Sequence, residues 1–84
     1  MHKIAEEPAV VGTKQTLRAL EKKNVKTLYI ARDAQKQITL RVLEFAEAQS
    51  VPVIYVDTMD ELAKACNVEV ETATAAIIKF QEVK

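Results

Sequence analysis

The strongest constraint on this chain is an alternation. Apolar runs of strand length trade places with longer segments whose apolar residues recur at three and four. Thr27-Leu28-Tyr29-Ile30-Ala31 and Val53-Ile54-Tyr55-Val56-Asp57 are the clearest runs. Both are rich in β-branched and aromatic residues, and neither alternates with polar ones. That pattern predicts strands covered on both faces, as in a parallel sheet with helices on each side. Between them, Gln35 to Gln49 carries Ile38, Val42, Phe45 and Ala46 at helical spacing, with Leu40 and Leu43 widening the stripe. Ser50-Val51-Pro52 ends this helix, because proline disfavours helical geometry in the residue before it.

The remainder keeps the same rhythm. Val10 and Val11 read as a short strand. A helix is expected from about Thr13 to Lys23, with a thin apolar side of Leu17 and Leu20 flanked by Thr16 and Ala19. Lys22 and Lys23 place cations at its negative end. Thr58 and Glu61 have the spacing of a capping box, which starts a short helix through Leu62, Ala63 and Cys66. Asn67 is a plausible stop for it. Val68 to Thr72 reads as a loop and Ala73 to Phe80 as the last strand. Strands and helices in strict turn predict a layered α/β domain. At 84 residues the chain is one domain, residues 1–84, with 1–9 expected to be a mobile N-terminus.

Much chemistry is excluded by what the chain lacks. Its only histidine, His2, is terminal, and no metal-ligand spacing exists, so no metal or other cofactor is expected. Cys66 has no partner cysteine and sits on an apolar helix side, as a buried structural thiol would. A single glycine rules out a Walker loop or a dinucleotide fingerprint. No paired acid and base outweighs ordinary helix capping, so the chain is not read as an enzyme. No run approaches a membrane span and no signal-peptide core is visible; the expected location is the cytoplasm, with no membrane partner.

The net charge is zero, yet its distribution is uneven. From Gly12 to Arg41 eight basic residues face two acidic ones; from Val42 to Lys84 three basic face eight acidic. A domain polarised in this way suits an anionic partner, although clustering of this kind also arises by chance. The basic half contains the one glycine, in Val10-Val11-Gly12-Thr13-Lys14-Gln15-Thr16-Leu17-Arg18. A strand, a glycine and a helix start present outward N–H groups to anions, and Lys14 and Arg18 share a helix face. Two readings stand on these features alone: a reader of phosphates or base edges, or a short surface helix with solvated lysines.

This stretch and two further groups of segments complete a resemblance. Gly12 to Leu20, Leu28-Tyr29-Ile30-Ala31 with Asp33-Ala34, and Leu62-Ala63-Lys64-Ala65-Cys66 with Val68-Glu69-Val70 and Ala75 to Ile78 occur in order and at the right spacing. Together they resemble the ribosomal-protein family that binds kink-turn RNA (the archaeal large-subunit type), in its short bacterial, YbxF-like form. The resemblance implies a three-layer α/β/α sandwich with a mixed four-stranded sheet. It implies binding to a sharply bent RNA with tandem sheared G·A pairs, in ribosomal or regulatory RNA, with the ribosome or a riboswitch-type RNA as partner. Gly12 and Thr13 would let the backbone approach the RNA, Lys14 and Gln15 would face guanine edges, and Arg18 would hold a phosphate or an adjacent base. Val68, Glu69 and Val70, with Thr72 nearby, would cap a flipped-out nucleotide; the alternative is that the valines pack on the core. Lys22, Lys26 and Arg32 are weaker candidates for phosphate contact. Asn67 stands where bacterial relatives often have glycine, and Glu71 where glycine or proline is usual. A carboxylate in that loop repels phosphate, which favours a rival reading: a protein-interaction or scaffold module of the same fold. Nothing in the sequence asks for more than a monomer.

Overall fold

The computed structural model describes residues 8–79. The first seven residues of the expected mobile terminus, His2 among them, and Phe80 of the expected last strand lie outside the described residues. In chain order the elements are β1 (Ala9–Val11), α1 (Thr13–Glu21), β2 (Val25–Ala31), α2 (Lys36–Ala48), β3 (Val53–Val56), α3 (Met59–Ala65) and β4 (Thr74–Ile78). The strands form one sheet in the order β1-β4-β2-β3. β2 and β3 are parallel, connected through α2, while β4 is antiparallel to both β1 and β2.

Period-two alternation along the central strands decides which layer each residue joins. Leu28 and Ile30 of β2 and Ala76 of β4 pack with Leu20 of α1 and with Val42 and Ala46 of α2. Their neighbours Tyr29, Ala31, Ala75 and Ile77 face the other way, onto Leu62 of α3 and Cys66 at its C-cap. The result is the expected three-layer α/β/α sandwich with a mixed sheet. β2 and β4 feed both cores, which explains the unbroken apolarity of 27–31.

The same reasoning fails for β3. It was expected to be covered on both faces, but it is an edge strand, and Ile54 and Tyr55 are 45% and 46% exposed. Among the described residues no strand lies beyond it, and α2 packs toward α1 rather than over the edge. The apolar stripe of α2 is correspondingly narrower than its sequence suggests. Val42 and Ala46 are buried with Thr39, whereas Leu40 is 59% exposed.

All three helices end alike. Lys23, Ser50 and Asn67 follow the C-caps in left-handed geometry, with φ of 57°, 56° and 61°. In each case the next amide reaches back to the carbonyl five residues earlier: Asn24 to Ala19, Val51 to Ala46 and Val68 to Ala63, at 3.0, 2.8 and 3.0 Å. These are Schellman ends built without glycine. Asn67 is thus the stop expected of it, doing a task for which glycine is the usual residue. At the start of α3, Thr58 Oγ1 accepts from the Glu61 N–H at 3.0 Å, as the capping spacing predicts. A second acceptor comes from a distance: Asp33 Oδ1 takes the Met59 N–H at 2.8 Å.

Candidate functional site

Strand pairing gathers the candidate residues. Val11 pairs with Ala75, Ala31 with Val56, and Ile30 with Thr74. The ends of β1, β2 and β3 and the start of β4 therefore lie at one pole of the sheet. Gly12, Arg32, Asp57 and the loop before β4 all emerge there. Two bonds fasten the junctions: the Gly12 N–H donates to the Thr74 carbonyl, and the Ala31 N–H to the Ala73 carbonyl, each at 2.9 Å.

Gly12 has φ 97° and ψ 153°, a backbone conformation that glycine occupies and other residues rarely do. Nothing stands within 4 Å of the point a Cβ would take. The backbone angle, not crowding, requires glycine, and the space in front of it is open. As N-cap, Gly12 offers α1 no side-chain acceptor, and the first turn holds no acidic residue. The amides of that turn have no helical carbonyl to bond. Thr13 is anchored through its hydroxyl, 3.3 Å from Thr74 Oγ1, while Lys14, Gln15 and Arg18 are exposed. Lys14 sits where the helix dipole disfavours a cation, by about 0.3–1 kcal/mol. α3 follows the opposite rule, with Asp60 and Glu61 first and Lys64 last.

The loop between α3 and β4 divides its residues. Val68 is half-buried against the α3 core, so the packing alternative holds for it. Val70 is 72% exposed, and Glu69 and Glu71 on either side are exposed too. Thr72 is buried, its hydroxyl donating to the Val70 carbonyl at 3.4 Å. In this conformation its hydroxyl is turned onto the loop's own backbone. The Thr72 N–H reaches the Met59 carbonyl, also at 3.4 Å, and the Met59 N–H is the one held by Asp33. Asp33 therefore helps to place the loop from 39 residues away in sequence, a role no local pattern announces.

The weaker candidates separate. Lys22 lines a groove of about 220 Å³ along the flank of α1 with Gln15 and Arg18. Arg32 is at the Gly12 pole, its guanidinium 5.1 Å from the Tyr55 ring centre and 3.7 Å from Asp57 Oδ1. Lys26 lies near the start of β2, at the other pole; seven strand residues span about 20 Å. Tyr55 and Lys79 were not singled out by sequence, because only the topology brings them beside cations. Cys66 is a free, buried thiol, and burial pushes its pKa up, as the structural reading required. Among the described residues no cluster of metal-ligating side chains occurs, and no helix is long and apolar enough to cross a membrane.

Comparison with known proteins meets this geometry. Residues 4–84 match the family described as ribosomal protein L7Ae/L30e/S12e/Gadd45. An RNA-binding protein of Halalkalibacterium halodurans is 46% identical over 70 residues, covering 83% of this chain and 85% of that protein. The RNA-binding protein YbxF of Geobacillus stearothermophilus is 41% identical with the same coverage. Among solved structures, a 15.5 kD RNA-binding protein of Giardia lamblia superposes with a TM-score of 0.82 at 26% identity; 93% of this chain covers 66% of that one. The fold and the matched sequence agree: this chain belongs to the ribosomal protein L7Ae/L30e/S12e/Gadd45 family.

Proposed function

We propose that this protein is a non-enzymatic, cytoplasmic RNA-binding protein that acts as a monomer and recognises kink-turns with tandem sheared G·A pairs in ribosomal or regulatory RNA. The observation that carries the reading is the start of α1. A helix opens on a glycine with free space before it, without a capping side chain or an acid, and with Lys14 in the place stability would give to an acid. A feature that costs stability and faces solvent is best explained by what binds there. Names of relatives as RNA-binding proteins support the same class of ligand.

The roles follow from donor and acceptor chemistry. Lys14 donates to the O6 and N7 acceptors of guanine, and Gln15 both donates and accepts. Arg18, one turn on, holds a phosphate or an adjacent base, with Lys22 continuing the groove. Val70 offers an apolar surface to an unstacked nucleotide. A kinked RNA exposes base edges that a regular A-form helix hides. Because the bent form is bound and the extended form is not, binding shifts the RNA toward the bent form.

The test is a gel-shift titration against a kink-turn duplex and a duplex whose G·A pairs are replaced by Watson–Crick pairs, at two salt concentrations. Selective binding that weakens with salt is expected. Lys14→Ala should lose about 1–3 kcal/mol, roughly five- to 150-fold in Kd, if it contacts a guanine edge. Equal, weak binding to both duplexes would overturn the reading. Glu69 and Glu71 beside Val70 would then mark a surface for a protein partner instead.

A further inference from the structure

The pole opposite Gly12 holds a charge feature that the proposed site does not use. Lys23 follows α1, Lys26 is on β2 and Lys79 follows β4, and the three line one groove of about 450 Å³ floored by Val51 and Pro52. All three are exposed. Among the described residues none of them pairs with a carboxylate, and no acid lines the groove.

The fold does not ask for this arrangement. Lys23 suits the negative end of α1, but α1 is already closed by its Schellman bonds. Lys26 and Lys79 belong to no helix. The C-terminal end of α2 (Ala48 to Ser50), which has no basic residue in its own last turn, lines the same groove and adds a preference for cations there, but one helix end does not call for three lysines. Lys26 stands at the register shift between Val25 and Thr27, and the Lys79 N–H is fixed to the Asn24 carbonyl at 2.8 Å. The backbone thus holds like charges around one groove, where they repel one another and concentrate positive potential. This pole is about 20 Å from Arg32, the length of β2.

We infer that the Lys23–Lys26–Lys79 groove is a second RNA site, which grips the phosphate backbone of a separate RNA helix without reading its sequence. Lysines act there as point charges; among the described residues the groove walls hold no aromatic platform, and Gln49, the amide that lines them, already donates its Nε2 to the Leu20 carbonyl at 2.7 Å. The protein then bridges two RNA segments, one specified at Gly12 and one held by charge alone. Lys26, a phosphate candidate from the sequence, belongs to this second surface.

This rests on the reading of the protein as RNA-binding, and the experiment keeps the two apart. Full-length protein saturated with an unlabelled kink-turn hairpin is titrated with a labelled Watson–Crick RNA duplex and resolved on a native gel. A ternary complex is expected. K23E/K26E/K79E should bind the duplex at least tenfold more weakly and form no ternary complex, with hairpin affinity within threefold of the parent. K23Q/K26Q/K79Q should behave alike, which separates lost attraction from added repulsion. K14A/R18A should lose the hairpin and keep the duplex. That last arm judges the second site even if kink-turn preference fails. Absence of a ternary complex in the parent, or duplex binding by the lysine variants equal to the parent's, would overturn the inference.

Discussion

At the scale of single residues, Gly12 carries two separable demands. Its φ of 97° excludes other residues on backbone grounds, whereas the space before it is open. Gly12→Ala should therefore destabilise the fold by about 1–3 kcal/mol in urea denaturation, from backbone strain alone. Its RNA affinity should fall as well, since a methyl group would fill the space a ligand backbone needs. Cys66 gives a second expectation at this scale. Burial raises its pKa in the folded state, so the folded protein disfavours the thiolate. The stability this thiol contributes is complete below the ordinary thiol pKa and is lost as pH climbs through the raised folded value. A Cys66→Ala variant should lack that alkaline loss when melting temperature is followed against pH. The strand–glycine–helix junction of the Gly12–Arg18 stretch and the exposure of its cations were legible because glycine, cations and helix spacing are local signals. Thr72 was not: a threonine in a short loop looks the same whether its hydroxyl faces solvent or its own backbone. Nor was Asp33, whose partner Met59 is 26 residues away.

At the scale of elements, helix positions and ends follow closely from periodicity and from Asn67 and the Thr58–Glu61 spacing. The burial of β3 did not, because an apolar run reads alike at the centre and at the edge of a sheet. Its place is set by non-local pairing with β2 alone. The same limit hides the strand order, which puts the last strand between the first two. The three helix ends offer a direct test. Ser50 has φ 56° with its backbone bonds already in place. A left-handed conformation costs a non-glycine residue energy that glycine does not bear. Ser50→Gly should therefore stabilise the protein by about 0.5–1 kcal/mol, the remainder being offset by the greater freedom of glycine in the unfolded chain. Thermal melts should show a rise of several degrees, about 2–8 °C for a domain of this size.

At the scale of the molecule, two cores share one sheet. Leu20 is fully buried on the α1–α2 side and Leu62 on the α3 side. β2 and β4 contribute to both, so the two layers cannot separate without breaking the strands between them. Leu20→Ala and Leu62→Ala should each cost about 2–5 kcal/mol. Both variants should still unfold in one transition, with far-ultraviolet dichroism and tyrosine fluorescence coinciding. Divergent curves for either would show that the layers fold separately. The shared sheet also explains how one small domain keeps two charged poles apart: the strands are the rigid spacer between Gly12 and the Lys26 groove.

The two prolines of the chain, Pro8 and Pro52, stand directly before β1 and β3, which are the two edge strands. An open sheet invites a stranger to add itself at either margin, and a long unpaired margin is where aggregates begin. Here each margin is three or four residues long. Proline denies an incoming strand one amide, while Gly12 and Asp57 close the far ends. Among the described residues the sheet is finished at four strands by its punctuation, which shortens the margin that exposed Ile54 and Tyr55 would otherwise offer to another strand.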